Sequence, residues 1–166
     1  LALVEPGSCF AGSFAELLFL ADRSYMLDDS EAEKPAHIRL SALNDGPLPM
    51  GNGLTRLQTR FYGDEPALAK LRATMAESKP IEPADAEKLG VVTFVRDEID
   101  YPDEVRLFVE ERTAMSPDAL TGMEQNLRWP GPETMETRIF GRLSAWQNWI
   151  FTRPNATGDK GAVTVY

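Results

Sequence analysis

The chain has 166 residues, inside the range of about 100 to 200 usual for one domain, and 43% of them are apolar, enough for a real core. Seventeen Lys and Arg face 26 Asp and Glu, and the net charge of -9 leaves no basic footprint for a nucleic-acid backbone or an anionic bilayer. One cysteine, Cys9, permits no internal disulfide, and with one histidine, His37, no Cys/His zinc set can be assembled, so cytoplasmic chemistry without a structural metal is the expectation.

Leu1 to Val4 is short and apolar, and Pro6-Gly7 follows it, which fits a buried strand leaving its sheet. Gly7 to Gly12 is rich in small residues. Ser13 then stands three places before Glu16, the spacing of a capping box, and opens a helix expected to run to about Arg23. Its apolar residues go nearly all the way round, which predicts burial. The longest apolar stretch, Phe14 to Ala21, is broken by Glu16 and falls far short of the roughly 20 residues of a membrane span.

Tyr25-Met26-Leu27 reads as a short strand, and an acidic insertion fills about residues 28–37. A further strand is expected at Ile38 to Leu43. Gly46 to Gly53 is turn-rich and leads into a helix at Leu54 to Phe61. More helices are expected at Pro66 to Ala76, Pro83 to Leu89, Asp103 to Met115 and Pro117 to Leu127, the last with Ser116 as N-cap. Val91 to Val95 is a β-branched run after Gly90, a strand by composition. Thr134 to Phe151 is the last long helix, stopped ahead of Pro154. Strands separated by helices, followed by a helical tail, indicate an α/β fold. Both ends, Leu1 to Val4 and Val163 to Tyr166, read as strands cut in mid-pattern, so the chain is expected to be part of a longer polypeptide.

Three stretches in order resemble the crotonase (enoyl-CoA hydratase/isomerase) superfamily. They are P-G-S-C-F-A-G-S-F-A-E-L-L-F-L-A-D from Pro6 to Asp22, G-P-L-P-M-G-N-G-L-T-R-L from Gly46 to Leu57, and A-D-A-E-K-L-G-V-V from Ala84 to Val92; Ser116-Pro117-Asp118-Ala119 matches the family's C-terminal helical region. A closer resemblance spans almost the whole chain, through D-R-S-Y-M-L (Asp22 to Leu27), P-M-G-N-G-L-T-R-L (Pro49 to Leu57) and T-M-E-T-R-I-F-G-R-L-S-A-W-Q-N-W-I-F (Thr134 to Phe151). It is to the C-terminal part of those members that open an epoxidised, CoA-activated aromatic ring with release of formate, in aerobic benzoate degradation. The resemblance implies a partial ββα spiral core over residues 1–100 and a helical packing and oligomerisation region over 101–166. It implies an acyl-CoA substrate with no other cofactor, a missing N-terminal crotonase-like half of the same chain, and a homodimer.

Family chemistry passes through a thioester oxyanion held by two backbone N–H donors, one of which is worth about 3 to 4 kcal/mol. The resemblance puts one donor at the Ser13 amide beside Gly12 and the other upstream of residue 1. The family's first catalytic glutamate falls on Glu16, which as a capping residue would instead hold a helix N-terminus. The second falls on Ala42, which breaks the acid/base pair. Asn44 is the nearest polar group that could orient a water, or it could serve the turn at Asp45-Gly46. Phe14 is bulky where the family keeps a small residue. Arg56, Arg60 and Arg72 could meet a CoA phosphate or form ion pairs on helix surfaces. Cys9 reads as a small buried thiol, and Trp129, Trp146 and Trp149 read as packing residues of the tail. The expected role is structural support of a catalytic half; an independently active hydratase or isomerase using Glu16, and a CoA-binding module without chemistry, stand beside it.

Overall fold

The computed structural model describes residues 1–29, 31–128 and 130–165, so Trp129 lies outside the described residues. The chain divides into two compact units, Leu1–Leu107 and Phe108–Tyr166.

The first unit is built on a three-stranded parallel sheet in the order β1 (Ala2–Val4), β2 (Ser24–Asp28), β3 (Phe94–Asp97), with Leu3 opposite Tyr25 and Met26 opposite Val95. A Ser24–Thr93 latch sets the start of the β2–β3 ladder: each backbone amide donates to the other's side-chain hydroxyl at 3.0 Å. The core gathers around Val4, Leu18, Met26, Ile38, Leu57, Leu71 and Val91, all fully buried.

The helix after β1 is shorter than its apolar run predicts. A single 3-10 turn, Gly12–Phe14, leads into α1 (Ala15–Leu20), which stops because Ala21 adopts ψ 140° and carries the chain into β2. It is also two-faced: Leu18 is fully buried, whereas Leu17 and Leu20 are exposed. The predicted Ser13–Glu16 capping box does not form, and α1 carries no side-chain cap. A box of the same logic forms at α2 (Arg56–Arg60), where Gln58 N donates to Thr55 Oγ1 and Thr55 N to Gln58 Oε1.

Ile38 to Leu43 is no continuous strand. Ile38 exchanges both backbone hydrogen bonds with Ile81, Arg39 pairs with the Phe10–Gly12 stretch, and the chain then tightens into a 3-10 turn, Ala42–Asp45. α3 (Glu65–Ala76) is capped by Asp64, with Pro66 in its first turn. α4 (Pro83–Ala86) ends early, because the amides of Val91 and Val92 both turn back to the Ala86 carbonyl; the valines close a turn there, and β3 starts only at Phe94. Gly90 makes that turn at φ +70°. α5 (Asp100–Thr113) runs across the boundary between the units.

In the second unit, α6 (Pro117–Arg128) is followed by a continuous helical run composed of α7 (Met135–Arg138), a π-helical turn over Ile139–Leu143 and α8 (Ser144–Ile150). The π turn is closed by Ser144 N donating to Ile139 O. Trp146 and Trp149 meet edge-to-face at 5.2 Å. Buried Asp118 accepts from Arg153 and from Asn155 at 3.2 and 2.9 Å, tying α6 to α9 (Pro154–Thr157). The predicted C-terminal strand is instead α10 (Ala162–Val165), because Gly161 O accepts the amides of Thr164 and Val165 and closes helical turns.

Candidate active-site cleft

The site grows from the turn ahead of α1. Gly12 sits at φ +53°, in the left-handed region that a side chain adopts only with strain. This conformation lets its amide reach Arg39 O while Phe14 N closes the 3-10 turn onto Ala11 O. The Ser13 amide lies between them in the first turn, where a helix supplies no acceptor of its own. Phe14 points outward, 57% exposed, so its bulk does not fill the turn.

Glu16 and Asn44 come from distant parts of the chain and meet in the interior. Asn44, 1% exposed, donates through Nδ2 to Glu16 Oε1 at 2.6 Å and to Gly12 O at 2.9 Å, and its Oδ1 accepts from Ser41 N at 3.1 Å. The turn role is therefore real, through a Ser41–Asn44 capping box, and the same side chain also holds the carboxylate and the glycine turn. On the other side Arg56, the first residue of α2, reaches Glu16 Oε2 at 3.2 Å through one terminal nitrogen. Glu16 thus spends both oxygens on protein donors.

This pair lines a cleft of about 260 Å³ together with Ser13, Leu17, Leu20, Leu48 and Pro49. Its lining combines apolar side chains, Leu17, Leu20, Leu48 and Pro49, with the Glu16–Arg56 ion pair. The structure brings together Gly12, Ser13, Glu16, Asn44 and Arg56. Ala42 is exposed and lines a different cleft with Ser41, Asp45 and Arg72. Arg72 is held by Asp45 through two hydrogen bonds, at 2.7 and 2.9 Å, and the Asp45 hydrogen bond raises its guanidinium further above the ordinary range. Arg60 donates to Gly90 O, and burial lowers its pKa from the usual value.

Cys9 is exposed, contrary to the expectation of a buried thiol, because the turn from Glu5 to Ala11 runs over the surface. His37 is exposed, with Nδ1 3.3 Å from Pro35 O. Among the described residues no group of three or more His, Cys, Asp or Glu could hold a metal ion. No described helix is long and apolar enough to cross a membrane. Sequence reading did not foresee the Glu16–Arg56 pair: the two residues are 40 apart, and only their joint membership in the resembling motifs hinted that they meet.

No family model matches the chain. The benzoyl-CoA-dihydrodiol lyase of Aromatoleum evansii is 54% identical over 165 residues, which is 99% of this chain and 29% of that protein. Among solved structures, an enoyl-CoA hydratase/isomerase from Cupriavidus metallidurans CH34 superposes with a TM-score of 0.54 at 20% identity, over 88% of this chain and 51% of its own. A probable enoyl-CoA hydratase/isomerase from Mycobacterium abscessus gives 0.53 at 18%, over 86% and 51%, and an enoyl-CoA hydratase from Geobacillus kaustophilus HTA426 gives 0.54 at 14%, over 93% and 54%. The chain therefore spans about half of those folds and less than a third of the curated relative. The chain is thus similar in sequence to part of that lyase and has part of the fold that these enoyl-CoA hydratase/isomerase structures share.

Proposed function

We propose that the chain is the C-terminal crotonase-like part of an enzyme that hydrolytically opens an epoxidised, CoA-activated aromatic ring and releases formate, and that this part supports the catalytic half instead of carrying the proton chemistry. The reading rests on 54% identity across nearly the whole chain to a benzoyl-CoA-dihydrodiol lyase. The cleft supports the structural role. The Glu16 carboxylate is held from two sides by Asn44 and Arg56, the arrangement of a residue that ties the glycine turn to α2. The residue aligned with a second glutamate is Ala42, which has no proton to exchange. The Ser13 amide supplies one oxyanion donor where the chemistry asks for two. The enzyme acts in the cytoplasm as a homodimer, with Met135, Phe140 and Leu143 of the helical run, all more than 60% exposed, as the apolar surface available for pairing.

The test compares the full-length polypeptide with the isolated chain, using epoxidised benzoyl-CoA and an unsaturated acyl-CoA. The full-length protein is expected to release formate from the first, and the isolated chain to turn over neither. Turnover of the unsaturated acyl-CoA by the isolated chain, abolished by Glu16→Gln, would replace this reading with that of an independent hydratase or isomerase.

A further inference from the structure

α1 has one face in the core and one in solvent. Ala15, Leu18 and Phe19 are buried, whereas Phe14, Leu17 and Leu20, spaced three apart, are 57%, 55% and 44% exposed. Residues at that spacing share a side of the helix. Leu48 and Pro49 continue this apolar surface across the cleft. The Glu16 carboxylate beside it is already engaged by Asn44 and Arg56, and the exposed face that α1 presents is apolar, a surface suited to an apolar cover.

The sheet is open on the same unit. β1 stands first in the order and, among the described residues, pairs only with β2, although Ala2 and Val4 are buried. Parallel sheets are ordinarily covered and carry their strands in long crossovers. The solved folds that superpose on this chain extend over nearly twice the length it covers, and the curated relative over more than three times.

We propose that the Phe14–Leu17–Leu20 stripe is the docking face for the rest of the same polypeptide, the segment upstream of Leu1, which lays an apolar surface over α1 and the rim of the cleft. This deepens the reading of the chain as one part of a longer enzyme and rests on it. The occupant is covalently attached, so the face is covered at any protein concentration, in contrast to a face covered by a second copy.

The experiment uses the full-length polypeptide. Leu17→Cys and Leu20→Cys, each in a Cys9→Ser background, are pulsed with a maleimide and read by peptide mass spectrometry against Lys79→Cys, whose parent side chain is 73% exposed. The expected result is labelling at least tenfold slower than at position 79 and independent of dilution. Labelling at the rate of position 79 overturns the proposal, as does protection that fades on dilution, which assigns the face to a second copy. Hydroxyl-radical oxidation of Phe14 and Leu17 in the unsubstituted polypeptide, compared with the urea-denatured chain, gives the same reading free of any folding defect in the variants. Formate release by a polypeptide whose stripe labels freely removes the docking face alone; a protected stripe on an inactive polypeptide removes the functional reading alone.

Discussion

Asn44→Ala removes the side chain that joins the glycine turn, the Glu16 carboxylate and the Ser41 turn. Two of its three hydrogen bonds are to backbone groups, at 2.9 and 3.1 Å, each worth about 0.5 to 1.5 kcal/mol net; the third, at 2.6 Å, is to a carboxylate and is worth about 1.5 to 3 kcal/mol. No water replaces them cheaply, because the site is 1% exposed. The expected loss is about 3 to 5 kcal/mol, felt first as local opening of the segments the side chain connects. Peptide-resolved hydrogen exchange on the full-length polypeptide should show protection over residues 12–20 and 41–46 falling by more than a hundredfold, with the C-terminal helical run unchanged. Asn44→Asp keeps the size but sets an oxygen against Glu16 Oε1 and should do no better. A fall of less than threefold in both segments would refute the reasoning, since it would mean that the three bonds carry no stability.

Glu16→Gln keeps one acceptor oxygen for Asn44 and gives up the ion pair, so about 1 to 2 kcal/mol of stability should be lost while kcat of the full-length enzyme stays within threefold. A steady-state drop of two to four orders of magnitude would instead make Glu16 the general acid or base. Gly12→Ala meets open space and only the strain of a positive φ, about 1 to 2 kcal/mol, whereas Gly90→Ala adds a contact at 3.1 Å with Phe61 Cε1; thermal denaturation should rank Gly90 as the costlier site. Tyr101, pushed upward by burial and secondarily by the neighbouring Glu5, stays neutral longer in the folded chain than in the unfolded one. Its contribution is full below the ordinary phenol value of about 10 and is lost as pH rises beyond it, so Tyr101→Phe should flatten the alkaline limb of the stability profile.

The elements legible in the sequence are those whose signals are local. Ala2–Val4 and Ser24–Asp28 follow from short apolar runs, and Glu65–Ala76 and Pro117–Arg128 from proline in a first turn ahead of an apolar helix. The errors fall where a distant partner decides. Val91 and Val92 have strand composition, yet their amides are claimed by Ala86; Ile38 pairs with Ile81 across a loop and joins no ladder. Ser13 and Glu16 have capping spacing, but the stronger pull on the carboxylate comes from Asn44 and Arg56, 28 and 40 residues away. For the same reason the family resemblance grouped Gly12, Glu16, Asn44 and Arg56, which do lie together, while leaving the hydrogen bonds among them unread.

The Ser24–Thr93 latch joins residues 69 apart, and the central strand it anchors has parallel neighbours on both sides, each reached through a crossover. Contacts of such separation are slow to form, since the loop must close before the pairing rewards it. During synthesis β2 therefore waits, half paired, until β3 has left the ribosome. In that interval its free edge can template association with another nascent chain. Substitutions that weaken the latch, such as Thr93→Val, should accordingly show themselves in the yield of refolded protein before they show in the stability of what has folded.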